Sequence, residues 1–422
     1  MKNTAKPQGK YPFKLNFNLM ILGQIISLFG SFILRFTLSL YVLDVTGSAG
    51  IFSVILAVSI IPQALLSPLG GAIADRVNRR NLMVIFDFSS CALIVLLTVT
   101  ILLSGELTIP LIGAVMVLLS VISTFYQPAV QASIPVLVGD EHLMQANGLV
   151  TGVQSLANLL GPVAGGVLYS LVDTKVILVI SAVSFFCSAV MEIFIKIPFT
   201  KPEREGGLLR SIWIDICAGL RYILREDPFL LKVTALSAII NFVFSPIFSV
   251  GAPFLVKMVL GFNDTWYGIS QGAFSLSMIL ASLVVGQIGK KLDVRTIYRP
   301  LLWMGLIFFP IAGVVSPLLL GVGGNWPSFL AFMLLSMCTG FFVVILNVFI
   351  MAKMQERTPN ELLGKVTATS MAVSICVTPI GQIIFGGLFD ALASQVWVIL
   401  FAVGAVVVLV ALWMKYLLRN QN

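Results

Sequence analysis

Charge is what this sequence lacks most. Only 10% of its 422 residues are Asp, Glu, Lys or Arg, one residue is histidine, and 58% are hydrophobic, for a mean hydropathy of +1.03. No water-soluble body of this length needs so much apolar surface, so the solvent of the chain is lipid. Period-2 alternation is absent, which excludes a sheet barrel. The five cysteines, Cys91, Cys187, Cys217, Cys338 and Cys376, are scattered without a CxxC pair, so they are small packing residues rather than a disulfide or metal framework. Gly289-Lys290 and Gly364-Lys365 lack the context of a phosphate-cradling loop, so ATP is not a direct energy source. With no metal-ligand cluster and no histidine in a span, an enzyme, a metal and a cofactor are not expected. His142, beside Glu141 in a polar loop, is expected to be solvated.

The charge that is present is unevenly placed. Of 26 Lys and Arg, 23 fall in the N-terminus, alternate loops, the central connection and the C-terminus; only Lys175 and Lys257 fall on the other side, and Arg35 lies inside a span. That asymmetry places both termini in the cytoplasm and explains the net charge of +8 without a nucleic-acid partner. The basic start (Lys2, Lys6, Lys10, Lys14) imitates a secretory signal, but the apolar stretch after it is too long and lacks a small-residue cleavage site, so it is a first span that stays.

At ~20 residues per crossing the chain accommodates about twelve spans. Apolar runs place them near 15–43, 49–74, 80–103, 109–128, 143–171, 174–196, 229–257, 265–289, 297–320, 326–351, 364–390 and 395–416. The expected fold is an all-α membrane protein: twelve transmembrane helices in two pseudo-symmetric six-helix bundles, 1–196 and 229–422, joined by a cytoplasmic linker at 197–228. Within the linker Leu208, Ile212, Ile216, Leu220 and Leu224 recur every four residues, an amphipathic helix that either lies on the membrane face or packs beneath the halves.

The halves repeat. Gly71-Ala72-Ile73-Ala74-Asp75-Arg76-Val77-Asn78-Arg79-Arg80 follows the second span as Gly286 to Arg295 follows the eighth, displaced by 286 − 71 = 215 residues, with Lys290 at the aspartate position. Gly165-Gly166 in the fifth span echoes Gly386-Gly387 in the eleventh, displaced by 221. A recurring half-length offset is the pattern of two bundles related by a pseudo-twofold axis, with a cleft at their junction. In the first of these stretches Gly71 allows close helix packing, Asp75 can face a helix N-terminus, Arg76, Arg79 and Arg80 meet phosphates or carboxylates, and Asn78 tolerates a left-handed backbone.

A glycine followed four residues later by Asp-Arg and then a basic pair resembles the loop signature between helices 2 and 3 of the major facilitator superfamily. Gly161-Pro162-Val163-Ala164-Gly165-Gly166 resembles the fifth-span antiporter motif of its drug exporters, although small residues at this spacing also serve ordinary packing. Gly23 to Gly30, Leu40 to Ser48, and Gln127 to Gly148 are similar to the bacterial macrolide-efflux-like branch. The resemblance implies the major facilitator fold and alternating access. It also implies a lock of the two halves in which Asp75 faces the start of the eleventh span near Gly364-Lys365; the plainer alternative is a turn that only maintains topology.

Ionisable groups inside spans are costly and are therefore candidates: Arg35, Asp87 and Glu192. Arg35 either lines the cleft or reaches outward to Asp44. Asp87 is either a proton-accepting carboxylate or a partner for an arginine of the charged loop. Glu192, one turn before Lys196, reads as an interfacial ion pair. Helix 1 has no carboxylate before Asp44 and helix 4 no basic residue, so the proton site usual in facilitator antiporters does not transfer. The neutral polar residues Gln24, Asn158, Asn241, Gln271, Asn347 and Gln382, accompanied by Phe242, Phe244, Met278, Phe341 and Phe342, suit a cleft for bulky amphipathic molecules, although such aromatic stripes also serve as core or lipid-facing surface.

The expected function is secondary active export of hydrophobic or amphipathic compounds, macrolide-like drugs first, by a monomer in the bacterial inner membrane, with protons as coupling ion and lipids as surroundings. The alternatives are a lysophospholipid or siderophore transporter, an uptake permease of the same fold, or a non-transporting membrane sensor.

Overall fold

A computed structural model describes residues 15–74, 76–138, 142–198, 208–289, 296, 298–318, 320 and 324–419, and among these no strand occurs. The helices are α1 Leu15–Thr46, α2 Ala49–Ala74, α3 Arg79–Ser104, α4 Ile109–Val138, α5 Leu143–Leu171, α6 Thr174–Ile193, α7 Leu208–Arg225, α8 Pro228–Pro246, α9 Asp264–Gly289, α10 Tyr298–Val314, α11 Asn325–Arg357, α12 Asn360–Ala391 and α13 Val396–Arg419. Ten helices among the described residues are long and apolar enough to cross a membrane, and Tyr298–Val314 is a shorter apolar one. α5 is long enough too, but its Gln, Asn and Gly dilute its hydropathy.

Two spans depart from their expected course. The fourth, expected to stop at 128, runs through Pro128 and Pro135 to Val138. In a membrane helix the backbone groups that proline frees can be satisfied by neighbouring helices and Ser or Thr side chains. The seventh does not stay a regular helix after Pro246: two π segments, Ile247–Gly251 and Leu255–Val259, flank Ala252–Phe254. Pro253 has no N–H to close an i−4 bond, and the backbone pairing widens, with Ala252 N–H donating to Ile247 O and Leu260 N–H to Leu255 O.

The chain forms two compact units: Met1–Leu34, Leu66–Ala157 and Lys175–Glu205 make one, and Arg35–Leu65, Asn158–Thr174 and Gly206–Asn422 the other. α1, α2 and α5 are therefore each shared between units. The core of the first gathers Phe17 and Met20 from α1, Met83 from α3, Tyr126, Val130 and Ile134 from α4, and Ala146 from α5. In the second, α10 and α13 touch backbone to backbone: a Cβ on Gly404 would lie 3.0 Å from Gly305 O. The amphipathic α7 is docked there as well. A Cβ on Gly219 would meet Lys365 O at 2.5 Å, and Tyr222 Oη donates to Arg357 O at 3.5 Å, so α7 packs against the start of α12 and reaches the end of α11.

Candidate functional site

The α2–α3 turn tightens through N–H groups of Arg76 and Val77, both donating to Ile73 O at 3.0 Å. Asn78 is not left-handed as the sequence suggested. With φ −60° and ψ 113° it is the N-cap of α3, its side chain accepting from Arg80 N at 3.1 Å, so a glycine there would forfeit a cap. Arg79 Nε donates to Ala74 O at 3.3 Å, and Arg80 Nη2 donates to Ile193 O at the end of α6. Two arginines thus satisfy helix C-terminal carbonyls, the favourable end for a cation. Gly71 does not provide the close packing expected of it, since a Cβ there would meet nothing within 4 Å. Gly70 does: its Cβ would lie 2.4 Å from Thr124 O of α4. Asp75 lies outside the described residues.

The fifth-span motif has a definite partner. Gly166 sits on the start of α9, where a Cβ would be 2.4 Å from Asp264 O, and a Cβ on Gly268 would be 2.6 Å from Pro162 O. One helical turn on, a Cβ on Gly272 would strike the Val163 side chain at 2.4 Å, and Ser275 Oγ donates to Asn158 O at 3.3 Å. The seam therefore joins small residues of α5 to Gly268 and Gly272 of α9. Gly165 makes room for Phe36 of α1, whose ring stacks on Tyr267 at 5.2 Å between centroids. Gly161 is buried beside them. The glycine pair of α12 repeats the arrangement: a Cβ on Gly386 would meet Ser53 Oγ at 2.0 Å and Ala49 O at 2.8 Å, at the start of α2. Ala49 and Asp264 are 264 − 49 = 215 residues apart, the same offset as between the two charged turns.

A charged cluster closes the same end of this unit. Lys257, in the second π segment, pairs with both Asp44 at the end of α1 and Asp264 at the start of α9, and its ammonium lies 5.8 Å from the Tyr169 ring centre. Asp44 is thus the partner of Lys257 rather than the counter-ion proposed for Arg35. Arg35 is half-buried on α1, nine residues earlier. The widened backbone that follows α8 places Lys257 against this pair, which neither hydropathy nor charge spacing could foretell.

Asn241 of α8 and Asn347 of α11 come together in the second unit. They border two adjoining cavities of about 290 and 410 Å³, the first walled by Phe244, Phe248, Gln271 and Met278, the second by Met351, Met354 and Met371. None of the described lining side chains is charged. Walls of Phe and Met with a few amides orient a ligand weakly and repack around different shapes.

In the first unit the intramembrane acids are inside the bundle. Asp87 of α3 is 2% exposed and accepts from Ser27 Oγ at 2.9 Å, so it is not a partner of the loop arginines. Glu192 of α6 is fully buried and accepts from Tyr126 Oη at 2.7 Å, while Lys196 is exposed; the interfacial pair expected for it does not form. A helix end inside a bundle is as dry as its middle, and Glu192 faces α4 rather than the boundary.

The five cysteines are free, and all but the half-buried Cys91 are exposed, so outward-facing surface rather than packing is their setting.

The comparisons agree with this architecture. The sequence is 25% identical to macrolide efflux protein A of Streptococcus pyogenes over 390 residues, covering 92% of this chain and 93% of that one. It is 23% identical to the multidrug efflux pump Tap of Mycolicibacterium fortuitum over 358 residues, 83% of each. In fold it is similar to a bacterial homologue of the iron transporter ferroportin in the inward-facing state, with a TM-score of 0.71 at 16% identity over 96% of this chain and 99% of that one. It is also similar to a bacterial homologue of the lysosomal transporter Spinster, with a TM-score of 0.69 at 13% identity over 96% and 97%. The family model described as Major Facilitator Superfamily matches residues 20–374, and the chain is a member of that superfamily of multi-pass membrane transporters, not an enzyme.

Proposed function

We propose that the protein exports bulky amphipathic compounds, macrolide-like molecules first, across the bacterial inner membrane by alternating access coupled to proton antiport. The observation that carries this reading is the uncharged Phe- and Met-walled space around Asn241 and Asn347, which suits a large, mostly apolar solute with a few hydrogen-bonding groups. The names of two relatives, a macrolide efflux protein and a multidrug efflux pump, support the same cargo. In this reading the protein works as a monomer with both termini cytoplasmic. Bundles 1–196 and 229–422 rock about the cleft, tethered by 197–228, and Asp75 with Gly71, Arg76, Arg79 and Arg80 holds the cytoplasmic side shut by facing the start of α12. The seams at Gly161, Pro162, Gly165 and Gly166 bias which way the cleft opens. One proton moving down ~100 mV supplies about 2.3 kcal/mol, enough for roughly 50-fold accumulation of a neutral solute.

Purified protein in proteoliposomes, offered a macrolide, a cationic dye and a lysolipid with and without an imposed pH gradient, tests the proposal. Gradient-dependent movement of the macrolide is expected. Movement of the lysolipid alone favours a lipid carrier, and movement that ignores the gradient removes antiport.

A further inference from the structure

Asp87 and Glu192 stand at the centre of a buried polar cluster that the lock, the seams and the cavity do not use. The two carboxylates enter from α3 and α6. α1 contributes Gly23, Gln24 and Ser27, and α4 contributes Tyr126. Ser27 Oγ donates to Asp87 Oδ1 at 2.9 Å, and Tyr126 Oη donates to Glu192 Oε1 at 2.7 Å. Ser188, one turn before Glu192, lies beside Asp87 and gives its hydrogen to Gly23 O at 2.9 Å. Gly23 is what lets α6 approach, since a Cβ there would sit 3.2 Å from Ser188 Oγ and 3.6 Å from Glu192 Cγ. Each acid therefore has one oxygen satisfied by a hydroxyl donor, while Asp87 Oδ2 and Glu192 Oε2 have no hydrogen-bond partner. Gln24, fully buried and one turn before Ser27 on the same stripe of α1, has both amide atoms unpartnered as well.

Among the described residues, the groups around the pair offer no compensating charge. The remaining titratable neighbours of Asp87 are Tyr126, whose hydroxyl is engaged with Glu192, and Cys91 on α3 itself. Arg80, the nearest arginine on α3, is two turns away and directed at Ile193 O, and Lys196 is exposed. Two carboxylates buried in one polar cluster are costly to keep ionised together without a cation, whereas one proton on the pair leaves a single negative charge and supplies an O–H donor. Burial without a counter-ion, two open carboxylate oxygens and an unpartnered amide on the same stripe of the adjoining helix are the marks of a site that takes up something small and positive.

We infer that Asp87 and Glu192 form a one-proton site in the N-terminal half, and that this is the group whose protonation couples the gradient to export. The coupling clause rests on the antiport reading; the site itself does not. The step is a plain acid–base exchange: a proton from water forms one O–H bond on the pair, taking its charge from −2 to −1, and the same bond breaks when the proton returns to water across the membrane. Ser27 and Tyr126 are positioning residues, each holding one oxygen of an acid while its other oxygen stays open to a proton.

Two measurements separate the site from the coupling. Infrared titration of the purified protein in lipid nanodiscs should give a carboxylic-acid C=O band at neutral pH that is missing from the Asp87→Asn/Glu192→Gln double variant. A band retained by the double variant overturns the site, whatever drives transport. In proteoliposomes loaded with radiolabelled erythromycin, each single variant should lose the roughly 50-fold accumulation that one proton moving down ~100 mV supports, while label-for-unlabelled exchange at equal pH persists. A merely structural role would remove both, and an unchanged gradient response in the double variant overturns the coupling while leaving antiport intact. If the wild-type protein itself ignores the gradient, the antiport reading fails and the coupling clause with it, and the infrared band alone then upholds or overturns the site.

Discussion

Asp390, in the last turn of α12, accepts a hydrogen bond from the backbone N–H of Ala49, the first residue of α2, at 2.7 Å. Its other oxygen takes the N–H of Gly50 at 3.0 Å and the hydroxyl of Ser48. A carboxylate supplied from another helix thus caps α2, satisfying two of its four free donors at the positive end of its dipole. The same α12 turn brings Gly386 against Ala49 O, so cap and glycine seam act on one contact. Asp390→Ala should cost about 0.5–2 kcal/mol, the range for losing a helix cap, and lower the melting temperature in detergent, whereas Asp390→Asn, which keeps an acceptor, should cost less. An Asp390→Ala melting temperature equal to that of the wild type would show that the cap contributes nothing.

The α5–α9 seam predicts a contrast within one helix. Gly166→Val drives a side chain into Asp264 O and should cost about 1–3 kcal/mol through overpacking, with transport falling about 10-fold or more. Gly152, fourteen residues earlier, has open space where a Cβ would stand, so Gly152→Ala should leave transport intact and stabilise the helix by about 0.5–1 kcal/mol. Thermal unfolding and dye efflux on both variants check the pair.

Lys257 holds two carboxylates, and its own side chain is 8% exposed while Asp44 is 33% and Asp264 15% exposed. Lys257→Met leaves both acids facing each other without a cation and should destabilise by about 1–3 kcal/mol after allowance for solvent screening. Adding Asp44→Asn removes one of the uncompensated charges and should recover part of the loss. A double-mutant cycle read by melting temperature measures it, and strictly additive effects would mean the pair is not energetically joined.

Asn78 as an N-cap and Asn78 as a left-handed residue predict opposite outcomes for a glycine. The observed cap means that Asn78→Gly should destabilise by a few tenths of a kcal/mol and Asn78→Ala by about 1 kcal/mol. A gain in stability with glycine would contradict the cap.

Asp75→Asn removes the charge of the proposed lock while keeping its size. The protein should reach the membrane at normal levels and fail to export, as judged by macrolide accumulation in intact cells. Full activity would refute the lock and leave the turn a topological element held by Arg79 and Arg80.

Much of this was legible in the one-dimensional chain because it depends on sums. Hydropathy averaged over ~20 residues is insensitive to any single contact, so the apolar helices were found while their ends moved, as at Pro128, and the π segments after Pro246 stayed hidden. The small-residue motif of α5 was visible for a similar reason. Its partner Gly268 and Gly272 carried the same four-residue spacing and could have been found by it. The choice between Gly70 and Gly71 could not, because it turns on which of two adjacent residues faces Thr124 O.

Composition and hydropathy determined by themselves that this is a multi-pass helical membrane protein, because lipid imposes length and apolarity on every span regardless of its neighbours. Only the tertiary structure decided who meets whom: Lys257 with Asp44 across 213 residues, Glu192 with Tyr126 instead of Lys196, and a π segment after α8 that carries the lysine. Such pairings depend on helix rotation and on close approach at glycines, and a rotation of one residue step, about 100°, moves a side chain to another face without altering the hydropathy of the segment at all.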